Sequence, residues 1–183
     1  MIGLNMAMQR KNVKKKRGTP PVHVISGKQL LRLKVNGEAH EIATDTSKTL
    51  LEVLREEIGL MGTKHGCELG ECGTCAVLMD GVPVLSCLVL GAEAEGAEIV
   101  TVEGMMEGAQ PHRLQKAFAD LGAAQCGYCI PGILLVAKAL LDNNPHPSRD
   151  EIRESLSGNL CRCTGYTKIL DAVELAAKGQ EGS

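Results

Sequence analysis

The chain has 183 residues, 44% of them hydrophobic and 23% charged, ordinary globular values that exclude a disordered or collagen-like polypeptide and leave room for one ordinary domain or two small ones. Its net charge of −2 conceals an acidic body, because nine of the 20 Lys/Arg and none of the 22 acidic residues fall in residues 1–37; such a body, with no Trp, one Phe and two Tyr, lacks the basic groove and stacking platforms of a nucleic-acid binder. A core so poor in rings must be aliphatic or lean on something non-protein, and the eight cysteines suggest what that is.

Residues 1–26 read as a basic, proline-punctuated flexible tail with Arg10, Lys11, Lys14, Lys15, Lys16 and Arg17, suited to disorder or partner docking. They contain no apolar h-region and no twin arginine, so a secretory signal is not expected. From Gln29 the pattern alternates, with Leu31, Leu33 and Val35 against Arg32 and Lys34; Asn36-Gly37 then predicts a type I′ turn and residues 38–43 the returning strand. Asp45-Thr46-Ser47 offers starts for a helix that carries Leu50, Leu51, Val53, Leu54 and Ile58 and ends near Gly59. After a loop rich in Gly and Cys, residues 76–79 and 82–86 flank Asp80-Gly81 as a second hairpin, and residues 99–102 form a last short strand.

Beyond that strand the period becomes helical, over residues 111–121, 131–143, 148–157 and 166–177. Ser148 and Glu151 fit a capping box, and Tyr166, Leu170, Val173 and Ala177 form one apolar stripe read as core packing. The longest apolar run, residues 130–141, is broken by Lys138 and falls well short of the roughly 20 residues of a membrane span. The expected fold class is α+β: a tail (1–26), a first domain (27–104), a helical bundle domain (105–178) and a short polar tail (179–183). Cores of domains this small are marginal, and a metal or disulfide staple is commonly recruited.

In the first half the spacing is Cys67-x4-Cys72-x2-Cys75-x11-Cys87, the plant-type ferredoxin pattern of three cysteines on one loop and a distant fourth. A 2Fe-2S centre takes two thiolates per iron, and Gly66, Gly70 and Gly73 allow the loop to wrap closely around inorganic sulfide. A four-thiolate zinc site and disulfides are the structural alternatives, the latter weakened by the missing secretory context. In the second half Cys126-x2-Cys129 opens a helix and Cys161-x-Cys163 lies at the foot of the last one, where the positive helix ends favour thiolate. Spacing alone leaves this group open between a second iron-sulfur centre, zinc and a redox pair. The five histidines, His23, His40, His65, His112 and His146, share no metal spacing. His65, two before Cys67, is either a tuning group or an exposed loop residue, and Tyr128 and Tyr166 either limit solvent access to the cysteines or simply pack.

Three motifs occur in order: Gly66-Cys67-Glu68-Leu69-Gly70-Glu71-Cys72-Gly73-Thr74-Cys75, then Gln125-Cys126-Gly127-Tyr128-Cys129-Ile130-Pro131-Gly132, then Gly158-Asn159-Leu160-Cys161-Arg162-Cys163-Thr164-Gly165-Tyr166. With these the chain resembles the small iron-sulfur subunit of the molybdenum hydroxylases, the superfamily of xanthine dehydrogenase, aldehyde oxidoreductase, aerobic carbon monoxide dehydrogenase and hydroxybenzoyl-CoA reductase. The resemblance implies a plant-ferredoxin-like β-grasp domain followed by a four-helix domain, each holding a 2Fe-2S cluster. It implies a molybdopterin-binding large subunit and a flavin (FAD) medium subunit as partners, two copies of each subunit in a dimer of heterotrimers, and a cytoplasmic electron-transfer role with no bond chemistry on this chain. Gln125 then contacts the molybdenum cofactor and Cys163 lies beside the pterin; the alternative for Gln125 is a helix-start side chain capping its own backbone. No G-x-G-x-x-G and no P-loop is present, so flavin and molybdenum are expected on other chains. A freestanding two-cluster ferredoxin and a zinc-stabilised interaction module are the competing functions.

Overall fold

The computed structural model describes residues 24–25, 28–106 and 108–179. The expectations for residues 1–23 and 180–183 lie outside the described residues. The fold is mixed, a β-sheet with several helices, and none of the described helices is long and apolar enough to cross a membrane.

Strand β1 (Val24–Ile25) pairs antiparallel with the start of β2 (Lys28–Val35). It falls inside the stretch expected to be tail, where two adjacent β-branched residues suit an extended chain. Along β2 the expected alternation holds, with Leu31, Leu33 and Val35 buried and Arg32 and Lys34 exposed. Asn36 and Gly37 turn the chain with φ of 52° and 85°, and β3 (Glu38–Asp45) returns antiparallel in full register from Val35↔Glu38 to Lys28↔Asp45. The second hairpin joins β4 (Ala76–Met79) to β5 (Val82–Leu85) through Asp80 and Gly81, again at positive φ. Between the hairpins runs β6 (Glu98–Val100), parallel to β2 and antiparallel to β4. It stops two residues short of expectation because the chain turns into a 3-10 segment, Val102–Met105.

The crossing helix starts later than Asp45-Thr46-Ser47 suggests. Asp45 ends β3 and its carboxylate accepts from the Ser47 N–H and hydroxyl, at 2.9 and 2.8 Å, an Asx turn. Capping passes to Thr49, whose N–H donates to Glu52 at 2.7 Å while the Glu52 N–H reaches back to the Thr49 hydroxyl. Helix α1 (Leu50–Glu52) widens at once into a π turn, Val53–Glu57, and ends before Gly59 at φ +85°. Leu50, Val53 and Leu54 are fully buried against Leu31, Leu33, Val35, Val77 and Ile99.

A second cluster of buried side chains is helical. It is built from α2 (Arg113–Asp120), α3 (Ile130–Asn143), α4 (Arg149–Ser155) and α5 (Thr167–Lys178). Two caps shape it: His112 closes a capping box on α2 with its ring Nδ1 accepting from Leu114 N, and Ser148 and Glu151 close the expected box on α4. Leu170, Val173 and Ala177 pack into this core as the stripe predicts, with Ile169, Ala172 and Ala176 beside them. Strand β4 joins the two clusters, since Val77 belongs to the first and Leu78, pointing the opposite way, to the second.

The Asn36 side chain ties the first hairpin to the end of β6, its Oδ1 accepting from Thr101 N at 2.9 Å and its Nδ2 donating to the Thr101 hydroxyl at 3.0 Å. Asn36→Ala removes both bonds and leaves a left-handed residue without its local support. A loss of about 1–3 kcal/mol is expected in denaturant unfolding, with little change in the m-value.

Candidate iron-sulfur sites

The first cysteine group is assembled by a loop and a hairpin. Cys67, Cys72 and Cys75 lie on the loop between the π turn and β4, where Glu68 (φ 54°), Gly70 (φ 76°) and Gly73 (φ 71°) take left-handed backbone. Cys75 immediately precedes β4, and the register Ala76↔Leu85 returns the chain so that Cys87 follows β5 on a 3-10 turn. Ser86 locks the closure, its N–H and hydroxyl both donating to the Cys75 carbonyl at 3.3 and 2.7 Å. The x11 spacing is therefore the length of one tight hairpin.

The second group is held by helix ends. Cys129 is the N-cap residue of α3, with Cys126 in the turn before it. Cys161 and Cys163 lie between α4 and α5, ahead of Tyr166 at the α5 N-cap. Cys126 and Cys163 are exposed and their Sγ atoms are 3.5 Å apart, whereas Cys129 is buried and bonds to Cys161.

All eight thiols are free, and they gather in pairs: Cys67 with Cys72, Cys75 with Cys87, Cys126 with Cys163 and Cys129 with Cys161. Among the described residues no three His, Cys, Asp or Glu side chains converge on one point. A 2Fe-2S unit takes two thiolates on each iron, which these pairs can supply. The polypeptide also presents N–H groups to sulfur, Leu69 N donating to Cys67 Sγ at 3.4 Å. A Cβ on Gly66 would stand 2.7 Å from Cys72 Sγ, so the glycine leaves the room that the sulfur uses.

The thiols are electrostatically unequal. The backbone N–H groups of Leu69 and then Glu71 hold Cys67 down at about 6, while burial pushes Cys87 up to about 11 and Cys129 up to about 12. Cys126 is lowered by the Tyr128 N–H and the Cys163 thiol, and Cys163 is raised by its bond to Cys126. Burial opposes ionisation of Cys161, but the hydroxyl and N–H of Thr164 and the Cys163 N–H prevail and lower it. In each pair of the second group one thiol is therefore shifted down and its partner up.

The two groups are bound to one another through backbone. Leu160 N donates to the Cys72 carbonyl at 2.9 Å, and the buried Asn159 gives its Nδ2 to the Gly73 carbonyl at 3.0 Å. The Tyr128 hydroxyl donates to the His65 carbonyl. Gly132, in the first turn of α3, packs so closely that a Cβ there would lie 2.5 Å from the Gly73 carbonyl oxygen. Spacing arguments miss Asn159, Leu160 and Gly132 as joints. Tyr128 and Tyr166 do more than pack, since the Tyr166 hydroxyl accepts from Cys161 N at 2.7 Å and donates to the Asn159 carbonyl at 3.1 Å. His65 is a half-exposed loop residue paired with Glu68 at 2.6 Å. His112 is a helix cap, and Gln125 lies exposed before Cys126.

Comparison with known proteins agrees with this geometry. Residues 33–101 match a family model described as a 2Fe-2S iron-sulfur cluster binding domain, and residues 101–174 one described as a [2Fe-2S] binding domain. The nicotinate dehydrogenase small FeS subunit of Eubacterium barkeri is 51% identical over 148 residues, covering 81% of this chain and 94% of the relative. Aldehyde oxidoreductase of Megalodesulfovibrio gigas is 45% identical over 146 residues, covering 78% of this chain and 16% of the relative. The chain belongs to the small iron-sulfur subunits of the molybdenum hydroxylases. As a small iron-sulfur subunit it superposes on quinoline 2-oxidoreductase from Pseudomonas putida 86 with a TM-score of 0.81 at 45% identity, covering 86% of this chain and 99% of that one. Such a subunit is an electron-transfer component of an oxidoreductase and binds two 2Fe-2S clusters.

Two glycines test the joint between the groups. Gly73 is left-handed and a Cβ there would overlap the Gly158 carbonyl, and Gly132 faces Gly73. Gly73→Ala and Gly132→Ala are each expected to destabilise the subunit by about 1–3 kcal/mol and to lower its iron content. Gly127→Ala, at φ +80° with open space around it, should lose only about 1 kcal/mol. Thermal melts and iron assays on the three variants read the difference.

Proposed function

We propose that the subunit is a two-station relay. In this reading Cys126, Cys129, Cys161 and Cys163 hold the cluster that faces a molybdopterin centre on a large partner subunit. Cys67, Cys72, Cys75 and Cys87 hold the one that faces a flavin subunit or another acceptor. When bound, each cluster accepts and passes one electron at a time; this chain holds, spaces and insulates the two and makes no bond to substrate. The observation that carries the reading is the Leu160 N–H to Cys72 carbonyl bond at 2.9 Å. One hydrogen bond and otherwise covalent links run from Cys161 to Cys72, one ligand from each group.

The direction is supported by exposure. Gln125, Cys126, Arg162 and Cys163 form an open rim at the second group, and Tyr128 and Leu160 are about half exposed beside it, a surface suited to a partner's cofactor. Gln125 there contacts the molybdenum cofactor and Cys163 lies beside the pterin. Residues 27–104 act as a ferredoxin-like β-grasp unit and residues 105–178 as a four-helix unit, within a dimer of heterotrimers. Eight free thiols accord with the reducing cytoplasm. Residues that select the substrate belong to the molybdopterin subunit.

The purified subunit is expected to contain about four irons and four acid-labile sulfides and, once reduced, to give two distinguishable paramagnetic signals, because a hairpin loop and paired helix ends surround the clusters differently. Substantial zinc without labile sulfide would refute the reading. In the whole complex, Cys75→Ser should block delivery to the acceptor while substrate still reduces the molybdenum centre. Gln125→Ala should leave both signals in place and weaken assembly or turnover about 2- to 12-fold, the range of one interfacial hydrogen bond. Rapid-reaction spectroscopy checks both variants.

A further inference from the structure

Tyr166 combines two features that core packing does not require. Its backbone is left-handed, φ 68° and ψ −24°, directly after left-handed Gly165. That conformation is strained for a bulky aromatic residue and easy for glycine or asparagine. It stands at the α5 N-cap but its side chain caps nothing in the helix. The side chain instead runs back to the cysteine segment, where the hydroxyl accepts from Cys161 N at 2.7 Å and donates to the Asn159 carbonyl at 3.1 Å. Tyr166 N in turn donates to the Thr164 hydroxyl, 3.2 Å away, and that hydroxyl is 3.1 Å from Cys161 Sγ. Strain is thus tolerated where a hydroxyl reaches the backbone of a cysteine ligand.

We propose that Tyr166 is a positioning residue that sets the electronic character of the second cluster by engaging the Cys161 amide. A backbone N–H donated to cluster or cysteine sulfur stabilises the added negative charge of the reduced state. With its proton on the phenol oxygen, the Cys161 amide is withheld from sulfur, and the second cluster is harder to reduce than its surroundings would otherwise make it. The same hydroxyl holds the Asn159 carbonyl, and so steadies the segment whose next residue, Leu160, bonds to Cys72. This rests on the reading that Cys126, Cys129, Cys161 and Cys163 hold a 2Fe-2S cluster.

The test is Tyr166→Phe in the full-length, cluster-loaded subunit, which keeps the ring as one wall of the small cavity it lines with Arg153, Leu156, Ser157 and Leu170 and removes the hydroxyl alone. Iron content should stay at the wild-type value. In a redox titration followed by paramagnetic resonance, the signal of the second cluster should appear at higher potential while that of the first does not move. Hydrogen exchange of the Asn159–Cys161 segment, measured by mass spectrometry, should be about 5- to 100-fold faster, as expected for the two hydrogen bonds the hydroxyl makes. An unmoved or lowered second potential, an equal shift of both clusters, or loss of iron from the second site would overturn the proposal, the last by making Tyr166 a structural prop. If the wild-type subunit itself carried only the first cluster, the relay reading would fall, and this proposal with it.

Discussion

Everything in this molecule depends on how closely three stretches of backbone approach at Gly73. Its carbonyl accepts from the buried Asn159 side chain, its Cα faces the Gly158 carbonyl, and Gly132 of α3 presses on it from another side. A methyl group at either of the two loop and helix glycines has nowhere to go, because the obstacles are backbone atoms that cannot rotate away. The approach lets the neighbouring residues, Cys72 and Leu160, bond directly. Two cysteine groups well apart in the chain become neighbours through a main-chain bond between Leu160 and Cys72.

The division of labour between the two groups follows from what builds them. The first is closed by a hairpin, which buries Cys75 and Cys87 under a sheet and leaves Cys67 on a loop lined with N–H groups. The second is gripped by helix starts, which place Cys129 in the interior and leave Cys126 and Cys163 at the rim. Burial excludes water from one side of each group while the other side stays open, and water exclusion together with hydrogen bonding to sulfur governs the potential of such centres.

Much of this was legible in the amino-acid order. Both the Asn-Gly and Asp-Gly turns and the four helical stretches predict what is observed, because each rests on a local rule. The errors arise where a local rule meets a competitor. Asp45 offers itself as a helix cap but is claimed by Ser47, so α1 begins at Thr49's box. The last strand gives way to a 3-10 turn. Val24 and Ile25 are too short a stretch to read as a strand in sequence, and their pairing with β2 is a tertiary contact. The joint at Gly73 was invisible for a different reason: it consists of side chains that are missing, and periodicity reports only those that are present. Tyr166 looked like the first rung of an apolar stripe, and only its left-handed backbone turns the hydroxyl toward Cys161.

Strand β4 carries a consequence of its own. Because Val77 faces one core and Leu78 the other, four residues serve as the inner wall of both, and they begin at the residue after Cys75. Removing either cluster of side chains would uncover the face of β4 that packs against it. The strand that divides the two cores is also the one that joins them.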